Sequence, residues 1–190
     1  MWWSKHLAAI GRFTRLGVVL AVAGLVAGCF EPLYGERSFA GTGGASVRDK
    51  LSAVDILPID APNGKPEARI GVEVRNALIF DTTGGSGQSA STHKLKIKLV
   101  TTRQSIIVDI NTTRPDAENY GIDAIYTLTD IATGKVVVTG QTFARVSFDT
   151  PGQQQRFAQA RGLRDAENRA AKVIADQIRS RLASFFVAGT

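Results

Sequence analysis

The chain has 190 residues, 44% of them apolar and 21% charged, a balance that fits one domain with a real core and excludes wholesale disorder. A single cysteine, Cys29, excludes an internal disulfide as the source of stability. The net charge is +6, but half of it lies in the first 28 residues, which carry Lys5, Arg12 and Arg15 and no acid, and the remainder lacks the concentrated basic face that nucleic acid would need.

Residues 1–28 read as a charged segment, an apolar run from Leu16 to Val26, and the small pair Ala27-Gly28. This is the layout of a secretory signal, and the run falls short of the roughly 20 apolar residues that a spanning helix requires. Val26-Ala27-Gly28-Cys29 resembles the bacterial lipobox. That resemblance implies cleavage between Gly28 and Cys29, with a thioether diacylglycerol and an N-acyl chain on Cys29. Each buried methylene of such chains contributes about 0.8 kcal/mol, so two or more chains anchor stably. Lipidation also removes the thiol as a nucleophile or metal ligand. Phe30 follows the cysteine, where Asp would signal inner-membrane retention, so the expected destination is the outer membrane.

Residues 36–50, "ERSFAGTGGASVRDK", have the composition of a flexible spacer, which sets the expected division into residues 1–28 as signal, 29–50 as lipidated start and spacer, and 51–187 as the folded domain. Val54 to Ile59 is β-branched and stops at "DAPNGKPE", which predicts a first strand. "PEARIGVEVRNALIFD" opens with a proline suited to a first helical turn and sets Ile70, Val74, Ala77 and Leu78 on one helical face. From His93 the pattern alternates: Leu95, Ile97 and Leu99 point one way, Lys94, Lys96 and Lys98 the other. A second alternating run, Ile106, Val108 and Ile110, follows a bend expected at "TTRQS". Tyr120 to Leu128 alternates again, and "DIATGKV" predicts a hairpin with Thr133-Gly134 at its tip. Val136 and Val138 continue the alternation, Phe143 falls out of phase, and Gly140 suggests a bulge that resets the face. Thr150-Pro151 predicts a helix start, after which Leu163, Ala166, Ala170, Val173, Ile178, Leu182 and Phe185 trace one apolar stripe of about eight turns. The expected fold is α+β, a two-layer sandwich ordered β-α-β-β-β-α, with about four strands in a mixed sheet and two helices on one face.

No residue set here carries catalysis. His93 stands alone at a strand start, no HExxH or Cys/His cluster exists, and neither "GTGG" nor "GGSG" is followed by the Lys-Ser/Thr of a phosphate loop. No cofactor is expected beyond the acyl groups on Cys29. The row Lys94, Lys96 and Lys98, with Arg103 near its end, has two readings. It is either a solvated face or edge guarded against aggregation, or an anion-binding face suited to the phosphorylated head of a lipid.

The ordered segments "GCFEPLYG" at 28–35, "LSAVDILPI" at 51–59, "VRNAL" at 74–78, "YTLTDIATGKVVVTG" at 126–140 and "DAENRAAKVIADQIRSRLASFF" at 165–186 resemble the LptE family of lipopolysaccharide-assembly lipoproteins in its alphaproteobacterial form. Phe30 replaces the glycine usual after the lipid-bearing cysteine, and Glu31 stands where Arg is common. The resemblance implies a non-enzymatic lipoprotein on the periplasmic face of the outer membrane. Its partners would be the β-barrel LptD, which it plugs and helps to assemble, and lipopolysaccharide, with Lys94, Lys96, Lys98 and Arg103 as candidate contacts. An auxiliary lipoprotein of an ABC-type lipid transporter would share the lipobox and the small α/β body.

Overall fold

Both periodicities read from the sequence find their partner surface in the computed structural model, which describes residues 46–62, 64–85, 90–109, 114–150 and 156–188. The elements in order are α1 (Val47–Ser52), β1 (Val54–Ile56), α2 (Pro66–Thr83), β2 (His93–Asp109), β3 (Arg114–Asp130), β4 (Val136–Asp149) and α3 (Arg156–Ala188). The strands form one mixed sheet in the order β1-β2-β3-β4. β1 runs parallel to β2, while β2–β3 and β3–β4 are antiparallel. The fold is α+β, with α2 over β1 and β2, and α3 over β3 and β4.

The sheet buries one parity of each long strand. Leu95 and Ile97 on β2 oppose Leu128 and Tyr126 on β3, and all four are at most 3% exposed. Ile70, Val74 and Leu78 of α2 and Ile174, Ile178 and Leu182 of α3 close the same core, each fully buried. Every such side chain stabilises by about 1.5–3 kcal/mol relative to an exposed one. Ala166, Ala170, Ala171, Ala175 and Ala183 are also buried, and their small side chains let a 33-residue helix lie close to the sheet and to α2.

Polar contacts pin the helices in place. Arg69 of α2 donates to Asn168 at 3.1 Å and pairs with the buried Glu167, both on α3. Arg75 Nε donates to the Ile56 carbonyl at 2.9 Å, tying α2 to β1. Thr101 Oγ1 donates to Glu67 at 2.5 Å, and this bond holds the Glu67 carboxyl below its usual pKa. Burial, then the negative charge of Glu167, pushes the Tyr120 phenol up to about 12.

Several expectations need correction. The last residues of the presumed spacer are helical: Ser46 caps α1 through a reciprocal capping box with Asp49, so order begins before residue 51. β1 ends at Ile56 rather than Ile59. The phase change at "TTRQS" is no bend between strands; β2 is continuous, and register shifts between Ser105 and Val108 absorb the extra residue. Gly140 resets nothing. The irregularity in β4 lies earlier, where Leu128 pairs with Val138 and Thr129 with Val136. Phe143 therefore stays on the outer face, 65% exposed. Gly140 is there for space: a Cβ would sit 2.4 Å from the hydroxyl oxygen of Tyr126, its cross-strand partner. On α3, Ile174 is buried where Val173 was expected, and Val173 is 39% exposed; Phe185 packs against the core as expected, with Phe186 buried beside it. His93 is half-buried, its ring edge-on to Phe186 at 5.3 Å. The Thr150-Pro151 start, Ile110, the signal, the lipobox and Cys29 lie wholly or partly outside the described residues.

Candidate functional site

Helices cover one face of the sheet; among the described residues nothing covers the other. Because Leu95, Ile97 and Leu99 turn inward, Lys94, Lys96 and Lys98 must turn outward, and all three are exposed there. Successive lysines are about 7 Å apart along the strand, two residues of extended chain. Across the sheet, Lys94 is in register with Asp55 and Thr129, Lys96 with Thr127, and Lys98 with Ile125. No ion pair engages these lysines among the described residues.

Arg103 does not join them. It shares the parity of Leu95, so its side chain lies on the helix-covered face, where Nε and Nη2 donate to Glu118 Oε2 at 3.0 and 2.6 Å. Its guanidinium also stands 5.9 Å from the centre of the Phe148 ring. A guanidinium fixed on both sides in this way is structural.

The open face holds a different arginine. Arg145 on β4 donates through Nη2 alone to both carboxylate oxygens of Asp123, 2.9 Å to each, and lies 5.6 Å from the Phe143 ring centre. Gly121 makes this possible: a Cβ there would approach Thr102 Oγ1 to 2.5 Å and Arg145 Cδ to 2.9 Å. Val100, Ile125 and Phe143 lie next to this pair, 60%, 54% and 65% exposed. The face thus presents a cationic row along β2 beside an apolar patch that spans β2 to β4. The row attracts anions as point charges, without bidentate geometry, and the patch offers a surface to acyl or other apolar groups. Asp123 neutralises Arg145, so the lysines carry the net positive charge.

Elsewhere, Glu73, Ala77, Phe80 and Asp81 of α2 and Asn168, Arg169 and Lys172 of α3 line an open trough of about 450 Å³, in which acids and bases balance. No described helix is long and apolar enough to cross a membrane.

A family model described as LptE, lipopolysaccharide-assembly, matches residues 51–182. Among solved structures, the chain is similar to a Caulobacter crescentus CB15 protein assigned as a lipoprotein, with 20% identity and a TM-score of 0.59, covering 77% of this chain and 98% of that one. It is similar to an uncharacterised lipoprotein B from Nitrosomonas europaea at 16% identity and TM-score 0.52, covering 80% and 95%. Rare lipoprotein B from Shewanella oneidensis matches at 14% identity and TM-score 0.50, covering 71% and 96%. At these identities the structures attest the shared fold. No curated protein matches the chain.

Proposed function

The family match spans more than half the chain, so the protein belongs to the LptE family of lipopolysaccharide-assembly proteins, and from that premise we propose that it acts as a lipid-anchored, non-enzymatic partner of the LptD β-barrel. In this reading Cys29 carries the acyl groups and holds the domain at the periplasmic face of the outer membrane. The domain fills the barrel lumen, aids its assembly and helps lipopolysaccharide reach the outer leaflet. The match over residues 51–182 carries the proposal. The open sheet face supports it, because a lysine row beside Val100, Ile125 and Phe143 suits an amphiphile with phosphorylated head and apolar tails.

Lys94, Lys96 and Lys98 are the proposed lipopolysaccharide contacts; Arg103 leaves the set, since Glu118 and Phe148 hold it on the other face. Affinity purification from solubilised outer membranes should recover the barrel with this chain, and mass spectrometry should find diacylglycerol on Cys29. Crosslinks to an inner-membrane permease, with no barrel recovered, would favour the transporter-subunit reading instead.

A further inference from the structure

The trough between α2 and α3 has walls of opposite charge. Glu73 and Asp81 stand on the α2 wall, with Ala77 and Phe80 between them; Arg169 and Lys172 stand on the α3 wall. Asp165 already holds Arg169, but Glu73, Asp81 and Lys172 have no ion pair among the described residues. Phe80 is 66% exposed, a ring left largely in water beside a concave surface. The preceding chain enters the fold near this end of the trough. A Cβ on Gly84, which ends α2, would sit 3.0 Å from Arg48 Nη2 of α1. The Gly84 N–H donates to the Phe80 carbonyl at 2.8 Å, so Phe80 is one turn back along α2. Ser46 caps the helix that carries Arg48.

We propose that residues 36–45 of the same chain dock in this trough, with Phe39 against Phe80. The segment reads "ERSFAGTGGA", in which Phe39 is the one large apolar side chain. Gly41, Gly43 and Gly44 follow it and permit the turn from α1 back along α2. Seven residues of chain lead from Phe39 to Ser46, a reach of up to about 23 Å. A tether this short gives an effective concentration in the millimolar range, so a weak contact suffices to seat the ring. Charge and parity set the orientation. Successive side chains of an extended chain point to opposite sides, so Arg37 and Phe39 face one wall, Glu36 and Ser38 the other. Phe39 on Phe80 therefore directs Arg37 to the α2 wall, where Glu73 stands, and Glu36 to the α3 wall, where Lys172 stands. The spacing agrees. Phe80 and Glu73 are about 10 Å apart along the helix, and Arg37 lies about 7 Å beyond Phe39 with a long side chain to cover the rest. Turned over, the segment would set Arg37 against Lys172. In the lipid-anchored reading, docking shortens the chain between Cys29 and the first fixed part of the body from residues 30–45 to residues 30–35. The docking itself rests neither on that reading nor on the barrel partnership.

The test uses the full chain in detergent solution. Ser38→Cys combined with Lys172→Cys should close an intramolecular disulfide on mild oxidation, above the background that Lys172→Cys alone sets with Cys29. Ser38→Cys combined with Lys94→Cys, next to β1 on the open face, is the control. The trough pair should close about tenfold faster than the control pair, at a rate independent of protein concentration. Phe39→Ser should bring the trough pair down to the control rate. Phe80→Ser should do the same, and it leaves the core untouched because Phe80 is exposed. Arg37→Glu or Glu73→Arg should each slow closure about threefold, as expected for one exposed ion pair. Both reversals together should restore it to within about twofold. Equal rates for the two pairs, a rate that ignores Phe39 and Phe80, or a double reversal that fails to rescue would each overturn the proposal. A disulfide found between two copies would assign the trough to a second chain, and closure only on adding a different protein would assign it to that partner; either result would overturn it too.

Discussion

Two arginine–carboxylate pairs sit on opposite faces of the same sheet. Arg103–Glu118 lies on the helix side, with the Glu118 side chain 12% exposed; Arg145–Asp123 lies on the open side, with Asp123 46% exposed. Each guanidinium stands over a phenylalanine, Phe148 or Phe143. The chemistry is nearly the same, but burial gives it different work. A carboxylate taken out of water depends on its partner, so the inner pair holds structure. A carboxylate in water does not, so the outer pair is worth little to stability and sets the local charge instead.

The comparison can be broken most forcefully at the core beneath the inner pair. Ile174→Ala should cost about 2–5 kcal/mol in denaturant unfolding, because that side chain is fully buried. Glu118→Ala should cost about 1–3 kcal/mol, whereas Asp123→Ala should cost under about 1 kcal/mol; equal losses would erase the distinction between the faces. On the open side the readout is binding. Lys94→Ala, Lys96→Ala and Lys98→Ala combined should leave the unfolding midpoint nearly unchanged while weakening lipopolysaccharide binding about tenfold, and the effect should shrink as salt rises. Asp123→Ala should act in the opposite direction and tighten binding, by freeing Arg145. The smallest effect is acid sensitivity near α2. The Glu67 carboxyl lies below its ordinary 4.5 in the fold because Thr101 donates to it. Its contribution is therefore present above that value and lost as pH falls through the folded one, and Thr101→Val should flatten this part of a pH–stability profile.

Much of this was readable beforehand, for physical reasons. The Lys94–Leu99 alternation needs only the two-residue period of a strand, so both faces of β2 followed directly. Arg103 was misassigned through closeness in sequence to the lysines; its odd parity with Leu95 already placed it on the inner face. The Arg145–Asp123 pair was beyond reach. Counting back from the hairpin turn without the irregularity at Val136–Val138 sets Asp123 opposite Thr142, one residue away and on the wrong face. The α3 stripe drifted for a related reason. The buried set runs in steps of four, Ala166, Ala170, Ile174, Ile178, Leu182 and Phe186, where steps of three were read to Val173 and Phe185; Phe185 still packs against the core from its margin. Ser46 sat in a run whose composition masked its capping box with Asp49, which depends on two residues rather than on averages.

That capping box also fixes where mechanical load would enter the domain. Tension from the preceding chain arrives at Ser46, passes through the short α1, and reaches β1, whose three residues pair in parallel with β2. Parallel strands tugged along their length resist by shear, with every cross-strand bond strained together instead of parting one at a time. Lys50 adds a cross-brace to the far end of α3 through the Phe186 carbonyl at 3.5 Å. A pull applied at this corner would therefore meet the β1–β2 bonds and the Lys50 brace together before it reached the rest of the sheet.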